Sequence, residues 1–208
     1  MERKIVLIGG GGHCKSVLDS LLRNKEYDEI VITDNDIPVG TMIMGCRVAG
    51  NDDVLPELLR SGFTDAFITV GSIKSSRLRR ILFEKALALG FNMVSIADSS
   101  AVVSDHATIG KGVFIGKNAV VNAHAEIGDA AIINTASVIE HECKVGSFVH
   151  ISVGTKLCGN VTVGDDTFVG AGSVVIQGTV IGSNVVIGAG STVLANVEDE
   201  SLKYGVVK

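Results

Sequence analysis

The sequence is short of several things, and each shortage removes a class of protein. It has no basic excess: 18 Lys and Arg stand against 23 Asp and Glu, a formal net charge of -5. A nucleic-acid binder needs a basic face to meet phosphates, so that class is excluded. The acidity is mild and speaks for solubility rather than for a partner. No apolar run approaches the ~20 residues that span a bilayer, so no membrane insertion is expected. The first apolar run, residues 4–8, ends in four glycines and is too brief for a signal-peptide core. The four cysteines, at 14, 46, 143 and 158, show neither CxxC spacing nor the density of a disulfide framework. Free thiols in a reducing cytoplasm are therefore expected. Tryptophan is absent altogether, and charged residues make up only 20% of a chain that is 46% apolar, too little charge for disorder. What is abundant is glycine, 25 residues. Mean hydropathy is also high, +0.41, and with no membrane span to explain it the second half of the chain supplies the reason.

The two halves follow different rules. Residues 1 to about 98 alternate strand-like and helix-like segments. The apolar run Lys4–Ile8 ends in Gly9 to Gly12; residues 13–24 set Val17, Leu18, Leu21 and Leu22 at helical spacing; residues 29–33 form a second strand closed by Asp34. Helices are predicted over 52–61 and 75–90, and strands over 64–70 and 92–97. This alternation implies parallel βαβ units with right-handed crossovers, a small Rossmann-like domain. Arg77, Arg79 and Arg80 read as solvated helix charges.

From Val103 to Val193 every sixth residue is Val, Ile or Leu. Four positions after each sits a small or β-branched residue, such as Ala119, Ser137, Cys143 or Thr155. Neither a period of 2 nor one of 3.6 produces this, but a parallel β-helix of hexapeptide repeats does. Each hexad is one short strand and a turn, and three hexads make one triangular coil. The aliphatic points to the axis, the small residue sits near a corner, and the glycine that often follows the aliphatic (Gly110, Gly116, Gly164, Gly188) is expected to relieve the backbone at the turn. No insertion interrupts the frame. The fold class is therefore mixed, an α/β Rossmann-like domain over 1–98 followed by a parallel β-helix over 99–208.

The repeat resembles the left-handed β-helix of the acyltransferase superfamily, and its union with a Rossmann-like domain narrows the resemblance. The chain resembles the sialic acid O-acetyltransferase family of sugar acyltransferases, including the bacillosamine-pathway UDP-4-amino-sugar N-acetyltransferases. The carrying segments are Ile8-Gly-Gly-Gly-Gly-His13, Ile133-Asn-Thr-Ala-Ser-Val-Ile-Glu-His-Glu-Cys143, Val149-His-Ile-Ser-Val-Gly154 and Cys158-Gly-Asn160. The resemblance implies a homotrimer with active sites between neighbouring β-helices, acetyl-CoA as co-substrate, no metal, and acetylation of the amine of a UDP-linked 4-amino-4,6-dideoxy sugar. A hydroxyl of sialic acid or of another surface-glycan sugar is the alternative acceptor. It makes 1–98 a nucleotide-sugar-binding domain and 99–208 the acyltransferase domain.

Acetyl transfer from a thioester needs a base for the nucleophile's proton, and histidine titrates in the right range. His141, outward in the hexad frame and flanked by Glu140 and Glu142, is the expected general base. By resemblance Glu142 raises its basicity and Asn134 helps hold the substrate or the base. Residues three hexads apart stack, so His106, His124, Glu142 and Asn160 form one ladder. His150 follows His141 by half a coil and lies on another face; across a trimer interface the two could share a cleft. The resemblance assigns His150, Gly159, Ala171 and Ala189 to acetyl-CoA. In the N-terminal half, Gly11, Gly12 and His13 are expected to hold the substrate diphosphate, using backbone N–H groups at a helix start. Asp34, with Asn35 where the family can carry a paired acid, would meet the nucleoside; Gly71 and Ser72 border the sugar. Asp34 also stands where a nicotinamide enzyme places its ribose acid, but the third glycine of that fingerprint is Cys14. A trimeric metal hydratase would need a close histidine pair, which His106, His124, His141 and His150 do not supply. The last residues, Tyr204-Gly-Val-Val-Lys208, depart from the Gly-Val-Pro-Ala-Lys-like tail that borders CoA in the family.

Overall fold

The computed structural model describes residues 2–71 and 75–208; Ser72 lies outside them. Two compact units emerge, Met1–Gly71 with Arg77–Ile96, and Ser72–Ser76 with Ala97–Lys208.

In the first unit, strands β1 (Lys4–Ile8), β2 (Glu29–Thr33), β3 (Met42–Ile43), β4 (Cys46–Gly50), β5 (Asp65–Ile68) and β6 (Asn92–Met93) form one sheet of order β3-β4-β2-β1-β5-β6. β1 pairs in parallel with β2 and β5, and its Ile5, Val6, Leu7 and Ile8 are buried, as expected of a central strand covered on both faces. Helix α1 (Gly12–Asn24) buries Cys14, Val17, Leu18 and Leu21 and ends at Lys25, whose left-handed backbone (φ 55) returns its N–H to Leu21 O. Helices α2 (Leu55–Arg60) and α3 (Arg77–Leu89) complete the unit.

Several local readings need correction. The helix predicted over 52–61 begins as a 3-10 turn, Asp52–Val54, and turns α-helical where Pro56 sits in the first turn. The strand predicted over 92–97 splits: Asn92–Met93 closes the first unit's sheet, and Ile96–Ala97 starts a sheet of the β-helix. An antiparallel hairpin, β3–β4, was not foreseen. Its two connecting residues, Met44 (φ 48) and Gly45 (φ 85), both adopt positive φ, the geometry of a tight hairpin turn, but Met-Gly lacks the usual Asn-Gly signal. Arg79 is not a solvated helix charge; it is buried.

The second unit is a left-handed parallel β-helix. Each rung pairs with the rung three hexads on, without interruption from Val102↔Val120 to Val174↔Thr192. The aliphatic of each hexad from Val121 to Val193 is buried, stacked on its copies along the axis. Full burial of such a side chain contributes ~1.5–3 kcal/mol. The small corner residues are buried too, and their hydroxyls donate to carbonyls: Thr155 Oγ1 to Gly170 O and Ser173 Oγ to Gly188 O, each 3.0 Å.

Glycine's role at the turns differs from the expectation. The glycine after the aliphatic does not have positive φ. It is required because adjacent coils nearly touch: a Cβ on Gly170 would come within 2.5 Å of Ala189 N, and one on Gly128 within 2.6 Å of Ser147 N. The left-handed position is two residues further on, where Glu142 (φ 61), His124 (φ 59), Asn160 (φ 57) and Gly172 (φ 68) stand alike.

The three faces carry different outward residues. The first presents Phe114, Ile132, His150, Phe168 and Val186; the second Val120, Val138, Lys156 and Val174; the third Thr108, Glu126, Lys144 and Thr162. Two faces are mostly apolar, with Phe114 and Ile132 of the first buried, and the third is mostly polar apart from the exposed Val180. At the end the coils shorten: Val186 pairs with Leu202 and Thr192 with Val206. The atypical tail is thus docked as the last rungs, with the Tyr204 ring lying over Gly188.

Candidate active site

In the first unit, the loop after β1 lies where strand order reverses, between β2 and β5, the usual ligand-binding edge of such sheets. Its four glycines divide into two pairs. Gly9 has φ +108 and its Cβ would strike Val70 at 2.7 Å; a Cβ on Gly10 would strike Ile37 at 2.5 Å. The fold demands the first through its backbone, whereas the second meets only side-chain tips. Gly11 and Gly12 have open space where a Cβ would stand, and Gly11 caps α1 without a side chain. The first turn of this 13-residue helix carries no acid, so its bare N–H groups form an anion-friendly edge. His13 follows, half-buried, and a Cβ on Gly71 would touch it at 3.5 Å.

Asp34 accepts from the backbone N–H groups of Gly10 (2.6 Å), Asp36 (2.9 Å) and Ile37 (3.0 Å). Burial alone would raise its carboxyl, but these three donors prevail and hold it below the ordinary aspartate value. Asn35 is engaged with Asp52, accepting from its N–H at 3.2 Å and donating to its carboxylate at 3.3 Å. Asp34 and Asn35, with Ile37, Pro38, Asn51 and Val54, line a cavity of about 410 Å³. Beneath the loop, burial pushes the Cys14 thiol up to about 11, which disfavours its thiolate.

In the second unit, His141 stands exposed on the corner between the second and third faces. Its Nδ1 lies 3.1 Å from Glu142 Oε2. A carboxylate only accepts, so in the neutral ring Nδ1 carries the proton and Nε2 keeps a lone pair. Gly159 lies one coil above, and a Cβ there would come within 2.6 Å of both Cε1 and Nε2 of the ring. The ladder also forms: His106 and His124 stack with ring centroids 5.8 Å apart.

Asn134, His150, Ala171 and Ala189 gather elsewhere, at the first face and the corner it shares with the second. Asn134 Nδ2 lies 3.2 Å from His150 Nε2, and the His150 ring meets Phe168 edge-on at 5.2 Å. Ala171 and Ala189, one coil apart, border a groove of about 700 Å³ with Phe168, Asn184, Leu202 and Tyr204. Within one chain the imidazole–carboxylate pair and this groove are on different corners. Phe168 and Tyr204 were not singled out from the sequence; the outward position of Phe168 beside His150 was readable from the coil register, whereas the fold of the tail was not. Among the described residues no group of three His, Cys, Asp or Glu is arranged to hold a metal ion, and no helix is long and apolar enough to cross a membrane.

A hexapeptide β-helix with an imidazole–carboxylate pair on one corner, in one chain with a glycine-loop α/β unit, defines an acyltransferase of the hexapeptide-repeat class. The comparisons agree. The PglD N-terminal domain family matches residues 4–86, and the bacterial transferase hexapeptide (six repeats) family matches 106–141 and 160–195. A mutant of perosamine N-acetyltransferase from Caulobacter crescentus, in complex with CoA and GDP-perosamine, is 37% identical, covers 97% of this chain and 93% of its own, and superposes with a TM-score of 0.91. The acetyltransferase domain of PglB from Neisseria gonorrhoeae is 34% identical over 98% and 97% of the two chains, with a TM-score of 0.92. The same domain in complex with acetyl coenzyme A is 35% identical over 99% and 97%, with a TM-score of 0.89. Comparison with curated proteins gave no match. The chain belongs to the family of hexapeptide-repeat sugar N-acetyltransferases that carry a PglD N-terminal domain.

Proposed function

We propose that the protein transfers the acetyl group of acetyl-CoA to the amine of a nucleotide-linked 4-amino-4,6-dideoxy sugar. The observation that carries this reading is the His141–Glu142 pair: an exposed imidazole whose Nδ1 lies 3.1 Å from the Glu142 carboxylate, which leaves Nε2 on the open edge of the ring. Nε2 takes the proton of the amine as the new C–N bond forms at the thioester carbonyl and the C–S bond breaks. Glu142 stabilises the imidazolium that results. No enzyme-bound acyl group is needed: among the described residues, no cysteine, serine or threonine hydrogen-bonds to the His141 ring, whose partner is Glu142.

Gly11, Gly12 and His13 hold the diphosphate, Asp34 and Asn35 border the nucleoside cavity, Gly71 adjoins the sugar, and Asn134 helps hold the substrate. His150, Ala171 and Ala189 serve the donor; Gly159, which the resemblance also gives to acetyl-CoA, lies against the His141 ring. The groove beside Ala171 and Ala189 suits an extended ligand lying against backbone, since both side chains are single methyls. The apolar, part-exposed second face supports a homotrimer, in which the imidazole of one subunit faces the donor groove of another. The resemblance favours UDP as the carrier; the relatives bound to GDP-perosamine make GDP the competing carrier.

The test is thiol release from acetyl-CoA by the full chain with UDP- and GDP-linked 4-amino sugars and with free sialic acid, beside a His141→Ala variant. Turnover on a nucleotide amino sugar that collapses in His141→Ala is expected. Turnover on sialic acid alone would move the acceptor to a hydroxyl, and wild-type turnover by His141→Ala would remove the base.

A further inference from the structure

We propose that Gly159 is a positioning residue for His141: its missing side chain is the shelf on which the imidazole rests. The inference builds on the reading of His141 as base. Gly159 lies one coil above His141, and the two rungs are tied by the N–H of Asn160, which donates to His141 O at 2.9 Å. A Cβ on Gly159 would stand 2.6 Å from Cε1, 2.6 Å from Nε2 and 3.3 Å from Cδ2 of the ring. The three nearest atoms all belong to one imidazole.

Backbone demands many of the other glycines of the β-helix, and Gly188 meets the Tyr204 ring rather than the imidazole. Gly128, Gly164 and Gly170 would drive a Cβ into backbone atoms at 2.5–2.6 Å, and Gly154, Gly172 and Gly190 adopt φ +68. Gly159 has neither property. The coil therefore tolerates an alanine at 159, and only the imidazole must give way. The shelf is fixed from inside: the Cys143 thiol, fully buried, donates to Cys158 O at 3.1 Å, and that carbonyl belongs to the same peptide unit as the Gly159 nitrogen. The imidazole is thus held at two points, by Glu142 at Nδ1 and by bare backbone under Cε1 and Nε2. A methyl group at 159 pushes the Nε2 edge outward, away from the geometry that Glu142 sets. A displacement of this size costs catalysis about 10²-fold.

The experiment uses the full chain in four forms: wild type, Gly159→Ala, His141→Ala and the double variant. Steady-state rates with acetyl-CoA and the accepted amino sugar are measured with melting temperatures and the His141 Cε1–H NMR resonance, assigned by its loss in His141→Ala. Gly159→Ala is expected to keep its melting temperature, lose about 10²-fold in kcat with little change in KM for acetyl-CoA, and displace the His141 resonance. In the His141→Ala background the second substitution should add nothing, because the clash has been removed. Where the His141→Ala rate falls below detection, the resonance decides. The proposal is overturned by an unmoved resonance, by failure of Gly159→Ala to fold, by a loss carried in KM for acetyl-CoA (the glycine would then clear the donor's path), or by an equal loss without the imidazole. If His141→Ala turns over like wild type, the base assignment fails by itself.

Discussion

His141 Nδ1 and Glu142 Oε2 lie 3.1 Å apart although the two residues are adjacent in sequence. The left-handed backbone of Glu142, φ 61, turns its carboxylate back onto its neighbour. Glu142→Gln keeps the shape but removes the charge that stabilises imidazolium. A kcat loss of roughly 10-fold is expected, smaller than the ~10²–10⁴-fold loss in His141→Ala. Rates measured on both variants with one acceptor check the order; equal rates for Glu142→Gln and wild type would remove Glu142 from the chemistry.

The Asp34 carboxylate ties the glycine loop to the end of β2 through three backbone donors. Its folded value is depressed, so its contribution is fully present above the unfolded value of about 3.9 and is lost as pH falls toward the folded one. Melting temperatures followed from pH 6 down to pH 3 should fall more steeply in wild type than in Asp34→Asn below about pH 4. Asp34→Asn should be the less stable protein at neutral pH. Parallel curves would show that the carboxylate does not anchor the loop.

Gly170 is a packing glycine: its Cβ would lie 2.5 Å from Ala189 N and 2.6 Å from Gly188 C. Backbone cannot step aside as a side chain can. Gly170→Ala should therefore cost ~1–3 kcal/mol and lower the melting temperature. Denaturant or thermal unfolding beside Gly159→Ala checks it, since the second is expected to melt like wild type.

Val138 and Val174 point outward on the second face, one on each side of Lys156. If this face is buried against another copy, charges there oppose assembly. Val138→Glu with Val174→Glu should convert a trimer to monomer in light scattering and depress acetyl transfer, because the imidazole and the donor groove of one chain stand on different corners. A monomeric wild type would overturn the shared site.

The β-helix was legible because its constraint is strictly periodic. One aliphatic in six must reach the axis, so Ile133, Ile139 and Val145 announce their places without any knowledge of distant contacts. The alternation of β1, α1 and β2 was equally clear from its two hydrophobic periods. The hairpin at Met42–Gly50 escaped because Met44 enters a positive φ that methionine does not advertise, and Arg79 because its neighbours along α3 say nothing of the surface it packs under. In the candidate site, the residue types were readable but their engagements were not. Nothing local shows that Asp34 spends its carboxylate on three N–H groups, that Asn134 meets His150, or that Gly11 and Gly12 are bare while Gly9 and Gly10 are packed.

The sequence by itself determined the repeat, the coil of three hexads, the direction of each side chain and the two-part organisation, because these follow from local periodicity and from the alternation of a strand. Tertiary structure alone decided what lies between coils. Gly159 and His141 are a full coil apart along the chain and meet only when one rung stacks on the next. A glycine that looks in sequence like any other turn residue is packing at 170, left-handed at 172 and a shelf for an imidazole at 159. The physical reason is that a glycine's role is set by what would occupy the place of its missing Cβ, and that place is filled by another coil.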